Sequence, residues 1–191
     1  MSAKDASFYF PAPIKQSFCT QCGSKLTRMC PPMDNRERDC CENCGAVHYR
    51  NPLIVAGTLS YYQNKILLCK RAIEPQYNKW TLPAGFMELS ETTAQGACRE
   101  TLEEAGAKIQ LGQLFTVIDV PRVSQVHMYY LAELTSLEFE PGEESLEVAL
   151  FDMDDIPWQQ IAFTTVQATL KTYIEHRQKN ISFKTHHIIL D

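Results

Sequence analysis

The chain has 191 residues, of which 45% are hydrophobic and 21% are charged. This length supports one substantial core and leaves about forty residues for a small extra module. Twenty-three acidic and eighteen basic side chains give a net charge of -5, which argues against nucleic acid as the main partner. The sequence shows no secretion signal and no apolar run of membrane-spanning length, so we expect a cytoplasmic protein.

The first segment to show a pattern is rich in cysteine. Residues 1–18 contain prolines and aromatics without periodicity and are predicted to form an N-terminal arm. Cys19 and Cys22 are then separated by two residues, as are Cys41 and Cys44, and a glycine follows each pair. This spacing lets both sulfurs of a pair bind one tetrahedral ion from a tight turn. We therefore predict a zinc ribbon, assigned to residues 19–50, with a closed and structural four-thiolate site.

The other cysteines are assigned to packing. Cys40 competes with Cys41 for a ligand position, but it would break the two-residue interval. Cys69 and Cys98 lie in a predicted strand and a predicted helix, where a free thiol usually behaves as a small apolar side chain. Cys30 also lies outside the paired pattern.

From residue 51 the sequence becomes β-rich, and we assign residues 51–180 to one catalytic domain and 181–191 to a tail. Ser90 is the expected N-cap of the first helix, and Gly106 the expected C-cap glycine. A second helix is predicted over Phe163–Gln178. Strands are predicted at Leu53–Tyr62, Lys65–Lys70, near Trp80–Gly85, Leu114–Val120, Gln125–Leu134 and Leu146–Phe151.

The first helix carries three glutamates on one face. Glu100, Glu103 and Glu104 are three and four positions apart, so a helix brings their carboxylates together. A solvated acidic surface is one interpretation of this pattern. The adjacent Arg99 and the glycines on either side of the segment favour another, which is a site for a hard divalent cation such as Mg²⁺ or Mn²⁺ beside a phosphate group.

Residues 85–107 resemble the Nudix box, the sequence motif of Nudix hydrolases. The motif is Gly, five residues, Glu, seven residues, Arg-Glu, an aliphatic, any residue, Glu-Glu, any residue, Gly and an aliphatic. Every charged and glycine position matches. Thr101 and Ala107 stand at the aliphatic positions, which predicts slightly weaker packing under the helix.

The resemblance implies a role for each matching residue. Arg99 orients the carboxylates and pairs with Glu91. The implied ligands of catalytic Mg²⁺ or Mn²⁺ are Glu100, Glu103, Glu104 and the backbone carbonyl of Ala84.

A glutamate base should assist the attacking water, but the sequence leaves its identity open. Related enzymes take this base either from the box helix or from a loop near the last strand. Glu143, Glu144 and Glu147 occupy such a loop, and we favour Glu144. Each could instead be an ordinary solvated residue.

The resemblance also implies an architecture. We expect an α+β fold, the Nudix α/β/α sandwich with a mixed sheet, preceded by the small zinc ribbon. The box helix is expected at one edge of the sheet and the later helix across the other face. A homodimer is expected from the resemblance alone.

The substrate is only narrowed by the sequence. A zinc ribbon joined to such a domain resembles NADH pyrophosphatases and related hydrolases of ADP-ribose or FAD. The array Ser124-Gln125-Val126-His127 departs from the Ser-Gln-Pro-Trp array of NADH pyrophosphatases, while Pro121 weakly favours ADP-ribose although a proline opening a strand needs no functional reason.

We predict hydrolysis of the pyrophosphate bond of ADP-ribose or a dinucleotide (FAD, NADH), releasing AMP and a second phosphate product. The alternatives are a pyrophosphohydrolase of oxidised nucleoside triphosphates and a non-catalytic nucleotide-sensing regulator.

Overall fold

The computed structural model describes residues 16–190. Most of the predicted N-terminal arm, residues 1–15, lies outside the described residues. The described chain divides into two compact units, with the boundary between Pro52 and Leu53. Between residues 16 and 190, no helix is both long enough and apolar enough to cross a membrane.

The smaller unit contains a three-stranded antiparallel sheet. Its strands are β1 (Thr27–Met29), β2 (Arg38–Cys40) and β3 (Val47–His48), with β2 in the centre. Such short strands bury little apolar surface, so the unit needs another source of stability.

In its described residues, 53–190, the larger unit combines eight strands and two α-helices. The helices are α1 (Thr93–Ala105) and α2 (Thr164–Gln178), and short 3₁₀ turns occupy Pro121–Val123 and Trp158–Gln160. The strands are β4 (Leu53–Tyr62), β5 (Lys65–Arg71), β6 (Trp80–Thr81), β7 (Ala84–Phe86), β8 (Ile109–Val120), β9 (Gln125–Leu134), β10 (Ser145–Asp152) and β11 (His186–Ile189).

These strands form one mixed sheet in the order β10-β5-β4-β9-β8-β11, with β6 beside β5 and β7 beside β4. The β4–β9 and β8–β11 pairs are parallel. The remaining pairs are antiparallel.

Side chains alternate between two apolar layers on opposite faces of the sheet. Along β5, Ile66 and Leu68 belong to the core cluster that contains α2, whereas Leu67 and Cys69 belong to the cluster at the end of α1. Alternation of this kind follows from the two-residue period of a strand. The predicted α/β/α sandwich with a mixed sheet is confirmed.

The position of α1 differs from the expectation. The Thr101 hydroxyl at its C-terminal end lies 2.7 Å from the Thr58 hydroxyl of β4, and Thr93 at its start lies 2.6 Å from the Tyr130 hydroxyl of β9. Both strands are central in the sheet. These contacts show that α1 lies across a face of the sheet and not at its edge. The small buried residues of α1 allow this close approach to the strands.

The helix also begins later than predicted. Thr92, and not Ser90, is the N-cap, since its side chain accepts a hydrogen bond from the Gln95 amide while the Gln95 side chain accepts one from the Thr92 amide. This reciprocal pair satisfies two backbone donors, whereas a serine cap alone satisfies one. The predicted C-cap is correct, because Gly106 has φ of 58° and donates to the Leu102 carbonyl.

The segment 181–191, predicted as a tail, contributes a strand to the sheet. β11 pairs in parallel with β8 over His186–Ile189. The His187 ring lies 2.8 Å from the Asp119 carboxylate on the neighbouring strand.

His127 is a buried titratable group on β9, 6% exposed, with Nε2 2.9 Å from the Gln125 side-chain oxygen. Burial lowers its pKa to about 4. A histidine in an unfolded chain titrates near ~6.5. As the pH falls, the unfolded state therefore gains a proton before the folded state does.

We expect this difference to make the fold acid-sensitive. The stability that depends on neutral His127 is fully present above about pH 6.5 and is lost as the pH falls to about 4, at a cost of roughly 3 kcal/mol. Urea unfolding between pH 7 and pH 4 should show a shallower loss of stability for His127→Leu than for the wild type. Equal pH dependence in the two proteins would contradict the assignment.

Candidate active site and thiolate site

A cleft of about 680 Å³ opens beside the C-terminal half of α1. Its lining combines seven glutamates with two arginines, so its walls are strongly acidic. Besides the glutamates, the lining contains Arg71, Ile73, Pro75, Ala84, Gly85, Phe86 and Arg99. An acidic cleft of this kind suits a divalent cation better than a bare phosphate.

The three glutamates of the helix all line this cleft, but they differ in exposure. Glu104 is buried at 7% exposure, Glu100 is half-buried and Glu103 is exposed. The Ala84 amide donates to Glu104 Oε2 across 3.3 Å, which ties β7 to the helix. A Cβ on Gly85 would overlap the Glu100 carboxylate, which would then have to move away from β7.

Arg99 binds four oxygen-bearing partners around the cleft. Its guanidinium donates twice to Glu91, at 2.8 and 3.1 Å, and once each to Glu100 at 2.6 Å and Glu103 at 3.0 Å. A further hydrogen bond of 3.2 Å reaches the Phe86 carbonyl. The planar fork of arginine allows this fan of bonds, which a lysine ammonium cannot reproduce.

These contacts move the pKa values of the carboxyls in opposite directions. Hydrogen bonds from Arg99 lower the pKa of Glu91 to about 2. Burial, reinforced by the nearby Glu100 charge, raises the pKa of Glu104 to about 8. Burial also raises the pKa of Glu100, although Arg99 opposes that change. The innermost carboxylate is thus the one most in need of a compensating cation.

Thr101, which stands at an aliphatic position of the motif, has hydroxyl partners in the structure. It is fully buried, donates to the Ala97 carbonyl and contacts Thr58, which in turn lies 2.8 Å from Ser60. A polar group that is buried with partners costs little stability. The weaker packing expected from this threonine is therefore offset by hydrogen bonds between the helix and β4.

The three candidate base residues occupy two environments. Glu143 and Glu144 line the cleft in the loop before β10, and the Glu144 charge acts on both Glu100 and Glu104. Glu147 lies on β10, where its carboxylate pairs with Lys70 at 3.3 Å. The structure thus brings Glu143 and Glu144 to the cleft beside α1, but not Glu147.

Two cleft residues escaped the sequence interpretation. Arg71, at the end of β5, packs its guanidinium over the Phe163 ring at 5.1 Å and donates through Nε to the Pro75 carbonyl. Phe86 is 52% exposed beside Gly85. An exposed aromatic next to the motif glycine and an arginine that ends an apolar strand are the signals that point to them.

The four predicted cysteine ligands lie together in the smaller unit. Their sulfur atoms all lie within 4.8 Å of one another, with 3.6 Å between Cys19 and Cys44 and 3.5 Å between Cys22 and Cys41. Hydrogen bonds from the side chain and backbone of Ser24 lower the pKa of Cys22 to about 5, whereas hydrogen bonds with the neighbouring cysteines raise the pKa of Cys44 to about 12. The thiolate form, which binds metal, is thus favoured at Cys22 and not at Cys44.

Matching turns carry the two cysteine pairs. Gly23 donates to the Cys19 carbonyl and Gly45 to the Cys41 carbonyl, both at 2.9 Å, and each glycine has φ of 74°. This left-handed backbone strongly favours glycine, which has no Cβ.

Within residues 16–190, the cysteine quartet is the only group of three or more potential ligands whose atoms converge in this way. The carboxylates of the cleft are held by other partners, since Arg99 binds Glu100 and Glu103 while Glu104 accepts from the Ala84 amide.

Residues 52–172 match the family model described as the NUDIX domain, and residues 17–50 match the one described as Nudix N-terminal. The chain belongs to the Nudix family. A solved Nudix hydrolase from Nitrosomonas europaea is 46% identical, with a TM-score of 0.87 over 92% of this chain and 99% of that one. This Nudix chain therefore shares both the ribbon and the hydrolase domain with known proteins.

More distant relatives of this Nudix chain carry specific names. It is 29% identical to an ADP-ribose pyrophosphatase of Methanocaldococcus jannaschii over 57% of this chain and 67% of that protein. It is also 29% identical to the NAD-capped RNA hydrolase NudC of Photobacterium profundum over 71% of this chain and 49% of that protein. The chain spans about half the length of the NudC relatives that it matches.

The geometry around Arg99 predicts a stabilising role for its guanidinium. We expect Arg99→Lys to lower the free energy of unfolding by about 1–3 kcal/mol, because Glu91 and Glu100 lose charge-assisted hydrogen bonds. The Glu91 pKa should rise toward its ordinary value. Urea unfolding and carboxyl NMR titration measure these two changes. Arg36→Lys, at an exposed arginine of the ribbon, is the control, and unchanged values for Arg99→Lys would contradict the prediction.

Proposed function

We propose that this Nudix chain is a Mg²⁺- or Mn²⁺-dependent hydrolase that cleaves the pyrophosphate bond of a nucleoside diphosphate-linked substrate. The observation that carries the proposal is the buried Glu104 carboxylate at the base of an acidic cleft. Burying such a group without a cation is costly. A divalent ion beside it offsets that cost.

The cleft residues fit a hard cation. Glu100, Glu103 and Glu104 offer oxygen donors on one helix face, and the Ala84 carbonyl is the proposed fourth donor. When bound, the cation supplies charge neutralisation for a diphosphate and lowers the pKa of water. Its selection of oxygen donors separates this site from the thiolate site.

The protein side chains have the remaining tasks. Arg99 holds Glu91, Glu100 and Glu103 in fixed directions, so we assign it the positioning of the ligands. Glu144 is our candidate for accepting the proton of the attacking water, since it lines the cleft together with the glutamates of α1 and lies on a solvent-exposed turn. Hydrolysis then releases AMP and a second phosphate product.

The substrate that we favour is ADP-ribose or a dinucleotide such as FAD or NADH. Relatives bear the names ADP-ribose pyrophosphatase and NAD-capped RNA hydrolase. The cleft volume lies within the range of small-molecule sites. Arg71 offers a cation for a diphosphate oxygen, and the exposed Phe86 ring offers a stacking surface for a planar ring.

Two alternatives belong to other functional classes. A pyrophosphohydrolase of oxidised triphosphates would use the same helix, while a nucleotide-sensing regulator would bind without turnover. The complete set of motif carboxylates supports catalysis over sensing. The homodimer and the cytoplasmic location expected from the sequence stay predictions.

Turnover assays test this proposal directly. With Mg²⁺ or Mn²⁺, ADP-ribose, NADH, FAD and an oxidised triphosphate are compared by product chromatography, and we expect AMP from ADP-ribose or a dinucleotide. Glu104→Gln should lower kcat by more than about 100-fold, because it removes a ligand charge. Glu133→Gln, at an exposed position on β9, is the matched control.

Each result has a definite reading. Preference for the oxidised triphosphate would replace the substrate class, and binding without turnover would favour the regulator. Full activity of Glu104→Gln would contradict the proposed metal site.

We also propose that the cysteine quartet holds one structural Zn²⁺. Four sulfurs leave no open position for water, so the ion would stabilise the ribbon and take no part in hydrolysis. We expect about one Zn²⁺ per chain by elemental analysis. Chelation or Cys41→Ser should unfold residues 19–50, which hydrogen exchange measures.

Cys30→Ser is the control for the zinc site, because Cys30 is exposed outside the quartet. Zinc retention by Cys41→Ser, or an ordered ribbon after complete removal of the metal, would contradict the proposal.

A further inference from the structure

The loop before β10 presents Glu143 and Glu144 to the cleft on a tight turn. The Ser145 amide donates to the Gly142 carbonyl at 3.0 Å, which closes a four-residue turn with the two glutamates at its centre. Glu143 and Glu144 are exposed and line the cleft, whereas Ser145 is buried. The direction of both carboxylates therefore depends on how this turn is held.

The first residue of the turn is attached to the backbone of α1. The Gly142 amide donates to the Glu104 carbonyl at 3.1 Å, and the Glu140 amide donates to the Ala105 carbonyl at 3.0 Å. Carbonyls in the last turn of a helix have no partner within the helix. The loop thus supplies two hydrogen bonds to carbonyls in the last turn of α1.

The other end of the turn is attached to the chain directly after β5. The Ala72 amide, directly after β5, donates to the Glu144 carbonyl at 2.8 Å. Phe139 also packs against the core cluster that includes Ala105. The turn is consequently held at both ends, once by the helix and once by the strand that carries Arg71.

Close approach at Gly142 makes this attachment sensitive to one atom. A Cβ at this position would overlap the Glu103 carbonyl oxygen and lie 2.9 Å from its carbon. Both obstructing atoms are helix backbone, so no side-chain rotation relieves the overlap. Any side chain at residue 142 must move the turn away from Glu103 and Glu104.

We infer that Gly142 is a positioning residue that sets Glu144 against the carboxylates of α1. The inference rests on the proposed function and extends it to the contact between the loop before β10 and the C-terminal end of α1. Displacing a reacting group by about 1 Å costs up to about 100-fold in rate. Metal binding should persist, since Glu100 and Glu104 keep their own positions on the helix.

The test compares Gly142→Ala with the wild type in two ways. We expect kcat for ADP-ribose to fall roughly 10- to 100-fold with little change in KM or Mn²⁺ affinity. Combined with Glu144→Gln, Gly142→Ala should add little further loss, because both act through one carboxylate. In NMR, bound Mn²⁺ should broaden the backbone amide signal of Glu144 less strongly in Gly142→Ala than in the wild type, because the turn lies farther from the carboxylates of α1.

Controls separate this inference from a general loss of structure. Gly112→Ala makes the same change on β8, outside the cleft lining, where a Cβ would lie 3.1 Å from the Leu131 carbonyl oxygen without overlapping it, and should keep kcat. Should Gly142→Ala not fold, Phe139→Ala loosens the same loop, and the same readouts decide.

Unchanged kcat together with unchanged Mn²⁺ broadening in the folded variant would overturn the inference while the proposed function stands. A wild-type protein without turnover would overturn the proposed function, and the broadening measurement would still judge the role of Gly142.

Discussion

The guanidinium of Arg99 is the positive charge on which the acidic end of α1 depends. Three carboxylates within five helix positions repel one another, and this one side chain engages Glu100 and Glu103 while binding Glu91 through two bonds. Because Glu91 precedes the helix, the same ion pair also fixes the segment that enters it. The Arg99 side chain thereby fixes the backbone that enters α1 and offsets part of the carboxylate charge of the cleft.

Much of the fold follows from local pattern. The bounds of β4 and β9 agree with the predicted strands, since long apolar runs end at clear turn residues. The cap of α1 was misplaced because Ser90 and Thr92 are both good caps by residue type. Only the reciprocal contact with Gln95 distinguishes them. β11 was missed because four residues give a weak period and its partner β8 is distant in sequence.

The candidate site divides in a similar way. The residues on α1 could be predicted, because the chemistry of the motif is written in consecutive positions. Arg71 and Phe86 carry only weak local signals, because they reach the cleft from separate elements. Gly142 carries none, since its closeness to the Glu103 carbonyl is purely spatial. Thr101 shows the same limit. From the sequence alone, its hydroxyl is a departure from the aliphatic position of the motif. Only the structure shows that Thr58 is its partner.

The parallel pairing of β4 with β9 has a consequence for folding kinetics. Leu53 pairs with Gln125, about 70 residues later in the chain, and all of α1 lies inside the loop that this pairing closes. Closing so long a loop carries an entropic cost before any contact repays it. The pairing is therefore a slow, non-local event in the assembly of the sheet. Only after that event can α1 contact both β4 and β9.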